Sequence, residues 1–525
     1  MNTKKADHAY SLGNQDPQVR SFLVLLVGLF SLWAVVTFIF LLPNGISTTF
    51  NYYCEFLSDG ITFSCLNEKA ISLFATNSQI QEHFGFSDGG SYARGGALLL
   101  KTGSPLSPGE TPLWSPGMFW IHALILKVVG PSGPAVLGLV LVSGFSWAIF
   151  CTLFSIVMYQ ITARPVGLLA PITIFIFPAT QEYLLNIGIF YSETVSVALF
   201  GSALLLTASA AMFRDWRMAV VAGISFTAAA YLRSSFEIVM HPAAVLLVVF
   251  WGACILILIL GRRDSDRLSN GRKWTRIWIE RANSRSFADF KIVAIVFVTF
   301  YALTLPYRLL NLERHGSASW VFGDYYFAYP WLTDGEYTQV QSFVLRGGGN
   351  VACRIDRQRC EEFATKRRQL GAQAVPIKDY KAAFYDTATS SPIAWLREKA
   401  PVIVKFWFSR PTFGAPVQGP YWPGILAAAL IAASVLLATY LVVGYWLFWP
   451  TVFIGGYLGG SLVIWNLVHL EVRYVYPAQV LSPVLAAIAL VVFLSTLPGG
   501  IWRRAHRKLP AFTTHAKPVE LIDTN

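Results

Sequence analysis

The sequence predicts an all-α integral membrane protein with about ten transmembrane helices and two large extracytoplasmic loops. Three observations carry that expectation. The 525 residues are 54% hydrophobic and only 13% charged, and mean hydropathy is +0.50; a soluble domain holds about 25% charged residues. Several apolar runs reach the roughly 20 residues that cross a ~30 Å hydrocarbon core. The Lys and Arg residues collect in short loops, as they do on the cytosolic side of membrane proteins. The formal net charge of +12 therefore suits anionic lipid and gives no reason to expect nucleic acid as a partner.

In chain order the apolar runs are 21–43, 134–161, 166–177, 190–213, 218–232, 236–261, 292–312, 422–443, 445–467 and 474–497. The first is too long for the apolar region of a signal peptide, and no small-x-small cleavage site follows it, so it reads as a retained span. The run 166–177 is short and reads as a tilted or half helix. An eleventh run, 116–129, is shorter than a span. If it crossed, parity would place residues 262–291 outside, yet that segment carries nine Lys/Arg against four Asp/Glu. Read as re-entrant or non-spanning, it leaves the basic segment inside, as the positive-inside rule requires. Ten spans with both termini cytosolic follow.

This topology divides the chain. Residues 1–20 are a cytosolic N-terminus. Residues 21–312 are a transmembrane module with a first outer loop at 44–115 and the basic inner loop at 262–291. Residues 313–421 form the second outer loop, 422–499 the last transmembrane helices, and 500–525 a cytosolic tail. The chain has no Asn-x-Ser/Thr sequon, which favours a bacterial origin and an inner-membrane location. Both outer loops carry two cysteines close in sequence, and oxidising outer compartments favour disulfides. Cys54–Cys65 and Cys353–Cys360 are the expected pairs, each contributing roughly 2–3 kcal/mol through loop entropy. Cys151 and Cys254 lie in apolar runs and read as core packing.

Ionisable groups near a membrane face are expensive unless paired or used. Asp88 lies in Ser87-Asp88-Gly89-Gly90-Ser91-Tyr92-Ala93-Arg94, with Gly103 and Ser115-Pro116-Gly117 beyond it. The plain alternative is a turn, since Asp-Gly is a common turn pair. Glu193 follows Tyr191-Ser192 at the outer start of a run, where a carboxylate also suits a helix N-terminus. Arg233 ends a run on the outer side, and His241 follows it. His469 and Arg473 stand in His469-Leu470-Glu471-Val472-Arg473-Tyr474-Val475-Tyr476-Pro477; an Arg-Tyr pair also anchors helices at the interface. Residues 380–410 read as helices near the membrane, their mixture of aromatics and Lys/Arg suiting an interfacial position. Asp264-Ser265-Asp266 has no surrounding α/β domain to hold a nucleotide.

Taken in order, these features resemble the GT-C superfamily of polytopic glycosyltransferases. The likeness is to bacterial family 39, the group of dolichyl-phosphate-mannose-protein mannosyltransferase-like proteins. The signs are an Asp and Tyr in the first loop, Pro-Gly opening a re-entrant helix, an acidic outer turn, and an Arg-Tyr-x-x-Pro span. The resemblance implies a GT-C fold and transfer of a sugar from a polyprenyl-phosphate donor, with inversion. The acceptor would be an envelope glycan, glycolipid or protein on the periplasmic face. It makes Asp88 the general base and gives Glu193 and Tyr92 an acceptor-orienting or metal-orienting role. Arg473, Arg233 and His469 would hold the donor phosphate. Metal-using members would add Mg or Mn. Ser115 stands where some lipid-phosphate sugar transferases have Lys, a departure from the aminoarabinose-transfer branch. The rival readings are an O-antigen-type polysaccharide polymerase or ligase, and a lipid-linked-glycan transporter or flippase. The latter would require inverted repeats and midplane polar sites.

Overall fold

The computed structural model describes residues 17–56, 88–105, 115–129, 133–162, 164–178, 180–181, 184, 192–237, 239–245, 247–249, 252, 273–315, 327–333, 350–371, 375–407, 422–440 and 476–496. Among them no strand occurs, and the chain is all-helical. The elements are α1 (Pro17–Phe56), α2 (Asp88–Thr102), α3 (Gly117–Val129), α4 (Gly133–Thr162), α5 (Ile172–Ile176), α6 (Ser192–Phe213), α7 (Trp216–Leu232) and α8 (Lys273–His315). They continue with α9 (Val351–Ile355), α10 (Arg357–Leu370), α11 (Ile377–Ser390), α12 (Pro392–Trp407), α13 (Trp422–Tyr440) and α14 (Tyr476–Thr496). A further apolar helical stretch, Ser235–Val249, follows α7.

Among the described residues four stretches are long and apolar enough to cross a membrane: Ser21–Leu41, Gly138–Gln160, Ser192–Ala211 and Phe290–Glu313. The stretches Trp216–Leu232, Trp422–Ala433 and Pro477–Leu490 are apolar but shorter. The core of the bundle forms where α4, α6, α7 and α8 meet. Trp147, Phe150, Phe154, Phe200, Phe226 and Phe300 are fully buried there. Val298, Leu305, Leu309 and Leu312 are exposed at a spacing that keeps them on one side of α8. Such a stripe is stable against lipid and not against water.

Local chemistry explains most element ends. Asp215 caps α7 by accepting from the Arg217 amide at 2.8 Å, the usual use of a short carboxylate at an N-terminus. Gly103, at φ +75°, ends α2, and its N–H donates to the Leu99 carbonyl at 3.0 Å; only glycine enters that backbone region without strain.

Three boundaries differ from the sequence reading. The run 166–177 is not one helix. It is a 3-10 turn, Pro165–Leu169, then the short α5. Pro171 removes a backbone donor between them, and helices break where that bond is lost. The Ser155 hydroxyl donates to the Leu168 carbonyl at 2.7 Å and accepts from the Trp33 indole at 2.9 Å, tying this turn to α4 and α1. Second, α1 continues as helix beyond the apolar run, through Pro43 and Gly45 to Phe56. Third, α8 begins at Lys273, so much of the basic inner loop is helix. The 445–467 span, the Cys54–Cys65 pairing, Cys254, His469, Arg473 and Asp264–Asp266 lie outside the described residues.

The described residues between 327 and 407 build their own small core. Trp331, Val351, Phe363, Tyr380, Phe384 and Trp395 pack together across α9 to α12. Cys353 and Cys360 are joined by a disulfide, with Cα atoms 5.0 Å apart. The helices expected near 380–410 are α11 and α12, and Cys151 is buried as core packing.

Candidate functional site

The N-terminus of α6 carries Glu193, 1% exposed. Its carboxylate sits in the first turn, where unpaired N–H groups favour negative charge. Arg233 follows the last residue of α7, and its guanidinium pairs with Glu193 Oε1. The Ser192 hydroxyl donates to Glu193 Oε2 at 3.3 Å. The Tyr92 hydroxyl, arriving from α2, lies 3.5 Å from Ser192 Oγ. From the core side, the Trp147 indole donates to the Thr194 carbonyl at 2.9 Å. Side chains of α2 and α4 and the residue after α7 thus converge on the first turn of α6 around one buried carboxylate.

Glycines make this approach feasible. A Cβ at Gly95 would lie 2.4 Å from the Phe119 ring, and one at Gly96 would lie 2.5 Å from His122 Cβ. A Cβ at Gly117 would lie 2.7 Å from the Tyr231 carbonyl oxygen. So α2 lies tightly on α3, and α3 starts against the end of α7. Tyr92 packs on Phe119 with ring centroids 5.8 Å apart, which carries its hydroxyl to Ser192. Asp88 is the first residue of α2, one turn before Tyr92.

A second polar group stands beside the first. The Arg233 Nε donates to Ser235 Oγ at 3.0 Å. The Phe236 and Glu237 amides then donate to the Arg233 and Ser234 carbonyls at 3.1 and 3.0 Å, making a tight turn. Glu237, at the far side of that turn, pairs with Arg308 of α8. Arg308 Nε also donates to Thr304 Oγ1 at 3.4 Å. His241 is 3.4 Å from Glu237 through Nε2, and its Nδ1 is 2.8 Å from the Tyr301 hydroxyl. The Tyr231 hydroxyl donates to the Leu303 carbonyl at 3.2 Å, close to Pro306 within α8.

Of the residues singled out from sequence, Tyr92, Glu193 and Arg233 come together, and Asp88 lies on the same helix as Tyr92. His241 belongs to the neighbouring group. Glu237, Arg308 and Tyr301 were missed, as were Gly95 and Gly96. Glu237 and His241 share an i, i+4 spacing, which was a readable signal; their partners on α8 lie some seventy residues away and were not.

Among the described residues no group of three His, Cys, Asp or Glu side chains gathers to hold a metal. The Glu193 carboxylate is already held by a guanidinium, which a cation would have to displace. The described residues therefore do not fit a Mg or Mn site. No protein-family model and no curated protein matches this chain.

Proposed function

We propose that this chain is a GT-C-type glycosyltransferase of a bacterial inner membrane, with ten spans and its site on the periplasmic face. The observation that supports this best is the convergence of Tyr92, Ser192, Glu193 and Arg233. These residues come from the three places where the resemblance puts its first loop, its acidic turn and a phosphate-facing cation. The Cys353–Cys360 disulfide supports an oxidising compartment for residues 313–421.

In this reading the donor is a polyprenyl-phosphate-linked sugar and the acceptor an envelope glycan, glycolipid or protein. Asp88 takes the proton of the acceptor hydroxyl as that oxygen attacks the sugar C1. The C1–O bond to phosphate breaks, its electron pair leaves on the phosphate oxygen, and configuration inverts. A positioned carboxylate base contributes typically ~10²–10⁴-fold. Arg473, His469 and Arg233 face the leaving phosphate, where a guanidinium matches developing charge. Glu193 and Tyr92 orient the acceptor. No step runs through a metal.

The test compares envelope glycans by mass spectrometry in cells with wild-type protein, no protein, or Asp88→Asn at matched abundance. Asp88→Asn is expected to reproduce the deletion's loss of one sugar. If the deletion loses glycan and Asp88→Asn does not, Asp88 is a turn residue and the base assignment falls.

A further inference from the structure

The geometry points to Glu237 and Arg308 as positioning residues that hold Arg233 against Glu193. A buried ion pair is weak as a source of stability, because desolvation of both charges offsets their attraction. Two such pairs, Glu193–Arg233 and Glu237–Arg308, lie at either end of one tight turn. The turn runs from Arg233 to Glu237 and is closed by its own backbone hydrogen bonds. It links the C-terminus of α7 to the helical stretch that begins at Ser235.

Each end of the turn is fixed to a different helix. Arg233 reaches α6 and Glu237 reaches α8. Phe236, between them, stacks on Phe200 of α6 with centroids 4.4 Å apart. Arg308 is itself steadied by Thr304, one turn earlier on α8. His241, itself hydrogen-bonded to the Tyr301 hydroxyl, braces the same carboxylate from the side. The backbone that presents Arg233 is therefore clamped from α8, and Arg308 is the clamp's only arginine among the described residues. Glu237 and Arg308 are joined to Arg233 by the backbone of the turn. They act through the turn.

This inference deepens the transfer reading, since Arg233 and Glu193 belong to its site, but its first test does not depend on that reading. Purified full-length protein in lipid nanodiscs is treated with phenylglyoxal, which modifies accessible guanidinium groups, and peptides are read by mass spectrometry. Wild-type Arg233, paired and largely buried, reacts slowly. Glu237→Gln is expected to make Arg233 react several-fold faster, while Arg367 keeps its wild-type rate. Arg367 donates to the Tyr380 hydroxyl and the Trp331 carbonyl in the outer subdomain, so it reports global unfolding. The milder Thr304→Val loosens Arg308 without removing a charge, and is expected to raise Arg233 reactivity by a smaller factor. Unchanged Arg233 reactivity in both variants overturns the inference. If Glu237→Gln also exposes Arg367, the Thr304→Val result decides.

The glycan assay then separates the two ideas. Glu237→Gln lowers product while Arg308→Lys, which keeps the charge, retains most of it. If Asp88→Asn leaves glycan unchanged, the transfer reading falls and the reactivity result still decides the clamp.

Discussion

Glu193 shows how one residue can answer to two descriptions. Its place in the first turn of α6 would suit any helix, yet its pairing with Arg233 and contact with Ser192 go further than a dipole needs. Arg233→Met strands that carboxylate in a buried site. Removing one partner of a buried pair typically costs about 3–5 kcal/mol, and the loss should appear as a lowered unfolding midpoint in detergent. Adding Glu193→Gln should restore much of it; no recovery would mean that the two side chains contribute independently. Lys399 offers a second residue-scale expectation. It is fully buried in α12, and burial, then nearby Arg354, pull its ammonium down to about 7 from 10.5. Between those values the unfolded chain holds a proton that the folded one has released, so stability rises with pH across that window. Lys399→Met should flatten the slope in denaturant titrations at pH 7 and pH 9.5. A slope that persists assigns it to another group. Both Glu193 and Arg233 were legible from sequence because each sits where an apolar run begins or ends. Their pairing was not, since nothing local brings residues forty apart together. Lys399 was named in sequence only as part of an amphipathic helix, and its burial follows from packing alone.

At the scale of elements, the α2–α3 contact depends on what Gly95 and Gly96 lack. A methyl at Gly95 meets the Phe119 ring, and one at Gly96 meets the His122 Cβ, at a distance that real Cβ atoms do not reach. Gly96→Ala should destabilise by roughly 1–3 kcal/mol, the range for overpacking, and should move Tyr92 away from Ser192. Hydrogen exchange at the start of α6 would register the change; wild-type protection there would show that α2 does not brace α6. The sequence suggested the Gly-rich stretch as loop, because glycine punctuates chains. In α2 the same residues serve close packing within a helix. The split of 166–177 was partly readable from Pro171 within it, whereas the extension of α1 past Pro43 and Gly45 ran against turn chemistry. Membrane helices tolerate such residues when neighbours satisfy the backbone.

For the whole molecule, hydropathy and charge gave the membrane class directly, since both are sums over many residues. The division into an apolar bundle and a separately cored segment among residues 327–407 also follows from composition. Topology is open to direct measurement. Alkaline phosphatase, which matures only in an oxidising compartment, should be active when inserted at 372–374 and inactive at 262–272. Activity at both, or the reverse pattern, would overturn the cytosolic assignment of the basic loop. Reduction of Cys353–Cys360 should lower the subdomain's stability by roughly 2–3 kcal/mol, read as earlier loss of α9–α10 protection in urea; unchanged protection would make the bond dispensable. The length of α8 has a wider consequence. At about 1.5 Å per residue its 43 residues make a rod of roughly 65 Å, about twice the hydrocarbon thickness. One end is the basic segment starting at Lys273, and Arg308 lies near the other. A continuous helix resists compression, so a push at the basic end arrives at Arg308 as displacement, bent only where Pro306 softens the shaft. In the proposed topology that rod gives events at the cytosolic face a mechanical line to the Glu237 carboxylate.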